Sequence, residues 1–387
     1  AYLIMAFALY PLVLGFQNAN FEQWARELKF DREFLMSVTA KVVAFVVSVW
    51  LAFQFRNYWA LVAQQLLLAG VSVLMTYVLR PKLCGFSLKS FKRIFNFSVW
   101  LGLGWLVNQI NWRSDSFVIG AELGDDTLGQ YSMGSNLANE STQMAIQAIL
   151  RSLYSGFSQI QGERARLQQA YLKAQSMTLA FVLPIGLGLS VLADVLVPIL
   201  LGPNWTLAVI VVQVSAPIAA IMTLTGPSQA LGMALGRTRT IFFRDVFSLV
   251  TRLPMLLFGI FTAGLVGVLI ARAASGVVML IVNLTMVQNF IGISLLKQFT
   301  NTWRSLLSGA VMVAGVALAR NWIPVEGEML AQFVSIVLLT GIGAVIYIGL
   351  HVLFWFISGR PDGPETKLLE MANKILAKLT GASIAGA

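Results

Sequence analysis

Apolar residues in this chain come in long blocks and do not alternate with polar ones. About eleven blocks can be read, near residues 1–19, 36–55, 59–79, 97–119, 128–150, 176–200, 207–232, 246–262, 264–290, 305–322 and 330–357. A helix rises about 1.5 Å per residue, so about 20 apolar residues cross the roughly 30 Å of hydrocarbon in a bilayer. Only helices and closed barrels satisfy their backbone groups in lipid. Barrel strands alternate over about ten residues, and neither 42–53 nor 330–356 does so. The pattern therefore predicts an all-α, polytopic membrane helical bundle. The first block is apolar from Ala1, with no initiator Met, charged leader or cleavage site. It reads as a span whose start is cut off, so further helices are expected upstream of this sequence.

Composition agrees with the pattern. Of the 387 residues, 57% are hydrophobic and 11% charged, whereas soluble domains are about a quarter charged. A single Cys, Cys84, excludes a disulfide framework and a thiolate zinc site. A single His, His351, argues against histidine metal sites and Ser-His-Asp chemistry. It sits among Leu350, Val352 and Leu353 and reads as a packed residue.

The net charge of +10 would suggest nucleic acid in a soluble chain. Its placement here points elsewhere. Twenty-one of the 27 Lys and Arg residues fall on alternate connections, following the first, third, fifth, seventh, ninth and eleventh blocks. The opposite connections hold only Arg56 and Arg320, together with Glu122, Asp125, Asp126, Glu326 and Glu328. The positive-inside rule makes the basic set cytoplasmic, with a cytoplasmic C-terminus and no nucleic-acid partner. Segments 21–34, 87–97 and 364–379 mix apolar and charged residues as interfacial helices do, and their basic charge would attract anionic membrane lipid.

Polar residues inside the blocks are the candidates for function, because a charge in a span costs at least about 2.5–3.5 kcal/mol. Asn108, Asn111 and Asp115 share one helical face at i, i+3, i+7, and Gln109 and Arg113 pair on another. They read as a cavity wall, or as groups that pair and snorkel near an interface. Asn136, Asn139, Glu140, Gln143, Gln147 and Arg151 form one stripe that lines water or bonds a neighbouring helix. Arg244, Ser248 and Arg252 share a face at i, i+4, i+8, like a ladder for an anion, and Pro254 is expected to kink the same helix. Arg272 lies in a run of small residues. Arg252 and Arg272 would hold an anion, or pair with Asp115, Glu140 or Asp245. Lys41 reads as a snorkelling residue. Prolines and glycines between Pro184 and Gly236 make that stretch bendable. The sequence holds no Walker A motif, HExxH, nucleotide-binding glycine loop or Asp-rich metal motif. No catalytic group, metal site or cofactor is expected.

Several stretches resemble one family. Ala25–Arg32, ARELKFDR, is similar to a cytoplasmic loop of bacterial polysaccharide flippases. Asn57–Gln65, NYWALVAQQ, followed by Arg80-Pro81, resembles their G-x-W-A-L-V span start, with Asn57 in place of the usual Gly. Asp115–Gly120, Leu123-Gly124 and Leu128–Tyr131 resemble their D-x-x-x-I-G-x-x-L-G-x-x-x-L-G-x-Y signature, and Leu201–Trp205 their L-G-x-x-W turn. The chain thus resembles the polysaccharide-exporting branch of the multidrug/oligosaccharidyl-lipid/polysaccharide superfamily.

The resemblance implies a two-lobed exporter fold around a central cavity, with about 11 of about 14 spans present. Residues 1–79 would be the remaining helices of the first lobe and 80–96 a basic cytoplasmic linker. Residues 97–290 would be the second six-helix lobe, 305–357 two additional helices and 358–387 an amphipathic cytoplasmic tail. It implies alternating-access flipping of an undecaprenyl-pyrophosphate-linked oligosaccharide across the bacterial inner membrane, for lipopolysaccharide or exopolysaccharide synthesis. A coupling ion, H+ or Na+, and polysaccharide polymerase machinery are partners it allows. Amides at Asn108, Asn111, Asn136, Asn139 and Gln143 would meet the sugar, and Arg113, Arg252 or Arg272 the pyrophosphate. Asp115 and Glu140 would complete the site. A cation antiporter of the same superfamily, or a membrane-bound polysaccharide ligase or polymerase, are the alternatives. Neither fits as well, given the buried arginines and the short connections.

Overall fold

Small buried residues let the first helices approach closely. In α2 (Phe30–Phe55) Ala40 and Ala44 are buried, and in α3 (Trp59–Leu79) Ala60 and Ala69. The computed structural model describes residues 2–18, 21, 30–55, 59–79, 91–323 and 329–360. It divides into two units, Ala1–Ile94 and Phe95–Ala387. Within the first unit, α1 (Tyr2–Leu14) ends in a turn that is tied to α3: Tyr77 Oη donates to Phe16 O at 2.9 Å and Asn18 N to Thr76 Oγ1 at 3.3 Å.

The second unit is built around two helical hairpins. α4 (Phe91–Gln159) is broken at Gly124, where φ is 83°. Asp115 and Tyr131, 16 residues apart and about 24 Å apart along a straight helix, are hydrogen-bonded, so the two arms fold back on each other. α9 (Thr238–Ile291) breaks at Ala263 and Gly264. There Gly259 and Gly267 meet backbone to backbone, with no room for a Cβ on either. Gly264 takes φ 57° and ψ −134°, a conformation that only glycine adopts readily.

Between the hairpins run α5 (Arg164–Val191), α6 (Ala193–Leu201), α7 (Thr206–Met222) and α8 (Pro227–Ala234), followed by α10 (Leu295–Thr300), α11 (Trp303–Ala319) and α12 (Met329–Ile357). The apolar block at 207–232 is interrupted by a 3-10 turn, Thr223–Thr225, before Pro227 starts α8. The broken backbone there is satisfied by side chains. Gln175 Nε2 donates to Leu224 O at 3.2 Å, and Thr223 and Thr225 hydroxyls bond carbonyls three residues back. The block at 176–200 likewise divides, at Leu192, and its first helix starts earlier, at Arg164.

Among the described residues there is no strand, and six helices are long and apolar enough to cross a membrane. One of them, Thr238–Ile291, is the two-armed α9. α4 is not among the six, because its arms carry the polar stripes; α1, with 13 residues, and α11, with 17, are shorter. The fold is the all-α membrane helical bundle that the apolar blocks predict. The interfacial segments expected at 21–34, 87–97 and 364–379 fall wholly or partly outside the described residues, as does most of the 80–96 connection.

Candidate functional site

The two hairpins supply the site. The first arm of α4 carries Asn111 and Asp115 one turn apart, and its second arm carries Tyr131, Ser135 and Asn139 at i, i+4, i+8. The first arm of α9 carries Ser248 and Arg252, and its second arm Arg272 and Ser275. Each set occupies one helical face, so folding the arms back brings the four faces together.

Asp115 is the hub. Arg252 Nη2 donates to its Oδ2 at 2.5 Å, and Tyr131 Oη donates to the same oxygen at 2.7 Å. Arg272 Nη1 lies 4.0 Å from that oxygen and donates to Tyr131 Oη at 2.9 Å and Ser135 Oγ at 3.3 Å. Arg272 Nη2 donates to Asn139 Oδ1 at 3.4 Å. The Asp115 side chain is 4% exposed, against 18% for Arg252 and 12% for Arg272. One carboxylate thus stands between two guanidiniums. The cluster carries one net positive charge in surroundings where an uncompensated charge is costly. Beside it, Asn111 Nδ2 donates to Ser248 Oγ at 2.8 Å. The second oxygens, Asp115 Oδ1 and Asn111 Oδ1, are buried and accept no hydrogen bond among the described residues.

A cavity of about 190 Å³ opens against this cluster. Arg252, Arg272, Ser248, Asn139 and Gln143 give it a polar side, and Trp112 with Ile218 and Met222 of α7 an apolar one. Among the described residues no group of three or more His, Cys, Asp or Glu side chains comes together.

The structure does not gather every residue that the sequence singles out. Asp115, Asn139, Arg252 and Arg272 meet in one network, with Asn111 adjoining and Gln143 on the cavity wall. Asn108 is half-buried, and Arg113, Asn136 and Glu140 are exposed; none of the four enters the network. The side chains of Gln147 and Arg151 lie outside the described residues. The Arg244–Ser248–Arg252 ladder is shared out among partners. Arg244 Nη2 pairs with Asp245 Oδ1 at 2.5 Å and its Nη1 donates to Asn283 Oδ1 at 3.3 Å. Ser248 is taken by Asn111, and Arg252 by Asp115. His351 is buried, its ring stacked on Tyr347 at 5.6 Å. Tyr131 and Ser135 belong to the site although the polar stripe does not mark them. They extend it from Asn139 by one and two turns toward Gly124.

Comparison with known proteins places the chain. A family model described as Polysaccharide biosynthesis protein matches residues 1–210, which take in both arms of α4. The chain belongs to the polysaccharide biosynthesis protein family. Among its relatives, the Escherichia coli (strain K12) lipopolysaccharide biosynthesis protein WzxC is 26% identical over 63% of this chain and 50% of its own length. The succinoglycan biosynthesis transport protein ExoT of Rhizobium meliloti (strain 1021) is 27% identical over 54% of this chain and 42% of its own. The chain spans about half the length of these curated relatives. The structure of lipid II flippase MurJ in an inward closed conformation shares the fold, with a TM-score of 0.57 at 13% identity, over 84% of this chain and 68% of that one. This member of the family is therefore a multi-pass membrane protein with a flippase-like fold.

Proposed function

We propose that the chain belongs to a transporter that flips a lipid-linked oligosaccharide across the bacterial inner membrane for surface polysaccharide synthesis. The observation that carries this reading is the excess guanidinium: Asp115 balances only one of Arg252 and Arg272, and both line the cavity. A phosphate oxygen arriving in the cavity meets a fork of charged donors that are already oriented by Tyr131, Ser135 and Asn139. At about 190 Å³ the cavity suits a phosphate group better than a sugar chain, since pockets for drug-sized ligands run about 300–1,000 Å³. The sugar would then meet the amides of the exposed stripe, Asn136 and Gln143, with Arg113 and Glu140 at its margin. An undecaprenyl-pyrophosphate carrier has the chemistry this requires: an anionic link between a polar chain and a tail that stays in lipid. The basic connections set the C-terminus in the cytoplasm in this reading, and residues 97–290 act as one rocking lobe. Coupling to H+ or Na+ would supply the driving force.

Arg252→Ala in the full-length protein tests the proposal. Surface polysaccharide should be lost while the protein remains at its normal level in the membrane. Normal polysaccharide output from that variant would overturn the assignment.

A further inference from the structure

The first unit carries a hollow of its own, lined in part by polar residues. It lies between α2 and α3 and encloses about 430 Å³, inside the range of about 300–1,000 Å³ usual for small-ligand sites. Lys41, Ala44 and Phe45 line it from α2, and Gln64, Gln65 and Leu68 from α3. Lys41 and Phe45 are one turn apart, as are Gln64 and Leu68, so each pair occupies one helical face. Ala44 is buried, and its small side chain leaves the floor of the hollow open.

The polar groups lie deep. Lys41 is seven residues inside the apolar span Phe34–Gln54, about 10 Å by helix rise. α2 ends at Phe55 and α3 starts at Trp59, so the packed pair runs antiparallel. Gln64 and Gln65 are thus set back about 8–9 Å from the opposite end of the pair. Among the described residues, none of the three makes a hydrogen bond or an ion pair. Snorkelling accounts for the lysine charge alone and leaves two amides at depth unexplained. Unpaired amides in hydrocarbon are costly, so the hollow calls for a polar occupant.

We propose that this hollow binds an acidic sugar unit, a hexuronate, of the transported oligosaccharide; the inference rests on the transport reading above. An ammonium is a compact point charge and pairs with one carboxylate. Each amide both donates and accepts, as a sugar hydroxyl does. Phe45, 61% exposed, and Leu68 give the apolar wall on which the C–H face of a sugar ring packs. A phospholipid headgroup fits less well, since headgroups lie outside the hydrocarbon and these groups lie inside it.

Binding of two synthetic carriers to the purified full-length protein tests this. Both are undecaprenyl-pyrophosphate disaccharides, one ending in glucuronate and the other in glucose. The glucuronate carrier should bind about fivefold tighter, the effect of about 1 kcal/mol from one ion pair. Lys41→Gln should abolish that preference, and Lys41→Arg should keep it. Lys41 is exposed, so its variants read binding rather than folding. Gln64→Leu/Gln65→Leu should weaken both carriers alike. Equal binding of the two carriers by the wild type, or a preference that survives Lys41→Gln, would overturn the hollow as an acidic-sugar site. Arg252→Ala should weaken both carriers and keep their ratio, since it acts on the shared pyrophosphate. Failure of both carriers to bind the wild type would instead overturn the transport reading on which the site rests.

Discussion

Two neighbouring stripes on the second arm of α4 make opposite use of the same helix. Gly134 and Ala138 face α7: a Cβ built on Gly134 would lie 2.9 Å from Ala208 O and from Val211 Cβ, and Ala138 is fully buried in the same packing layer as Ala208 and Val212. Tyr131, Ser135 and Asn139 face Arg272 of α9. One stripe is held by the closeness that small residues permit, the other by a charge that must have partners. Helices in lipid have both devices available, because apolar surface alone gives them little reason to associate. The difference also separates two roles. The dry stripe sets where α4 stands, and the polar stripe sets what α4 presents to the cavity.

The largest expected effect comes from removing the hub of the polar stripe. Asp115→Leu leaves the Arg252 and Arg272 guanidiniums buried without their carboxylate, and breaking a buried pair from one side costs about 3–5 kcal/mol. Thermal unfolding of the detergent-purified protein should shift strongly downward. The double variant Asp115→Leu/Arg252→Leu should regain most of the loss, because it removes the stranded charge as well. A single variant as stable as the wild type would show that the pair does not hold the hairpins together.

A smaller effect is expected on the dry stripe. Gly134→Leu has no space to enter, and overpacking of this kind costs about 1–3 kcal/mol. Gly186, where a Cβ would meet Ala216 O at 2.7 Å, marks the same tight crossing of α7 from the α5 side. The two stripes should then separate in a combined assay. Gly134→Leu should lower the amount of folded protein and leave export per folded molecule unchanged, whereas Arg252→Ala, which leaves Asp115 bonded to Tyr131 and facing Arg272, should lower export per folded molecule. Loss of export per molecule in Gly134→Leu would erase the distinction.

Much of this is legible in the chain itself, and the reasons differ by residue. The helices follow from apolar length, and the i, i+4 spacing of Asn111 and Asp115 is enough to put them on one face. The separate blocks at 97–119 and 128–150, and at 246–262 and 264–290, already predict a reversal between them, and the positive φ of Gly124 and Gly264 marks the residue at each turn. The choice of partner for Arg252 is not legible, since Asp115 lies 137 residues away and Glu140 and Asp245 are equally good partners by spacing. In the structure Asp245 is engaged by Arg244, one residue away, and Glu140 is exposed. Arg320, which the sequence places on a connection with Glu326 and Glu328, pairs instead with Asp194 and caps α5 by donating to Val191 O at 2.9 Å. Tyr131 is hidden for another reason: a tyrosine in an apolar block is commonly an interfacial anchor, and nothing local marks its hydroxyl as a bridge.

Tyr131→Phe is the finest probe of the polar stripe. The hydroxyl donates to Asp115 and accepts from Arg272, so its loss removes two hydrogen bonds without changing the packed ring. Each charged group keeps another partner, however: Asp115 keeps Arg252, and Arg272 keeps Ser135 and Asn139. The stability cost should therefore be about 1 kcal/mol, near the net worth of one ordinary hydrogen bond. Its effect on export should be larger than that figure implies, because the bridge sets the distance between Arg272 and the carboxylate. With the hydroxyl gone, Arg272 is free to close its 4.0 Å gap to Asp115 and neutralise it together with Arg252. Export measured against substrate supply would then show weakened binding of the anionic lipid in a protein of nearly normal stability. If Tyr131→Phe exports normally, the hydroxyl serves packing alone, and the polar stripe acts through its arginines without needing to be held apart.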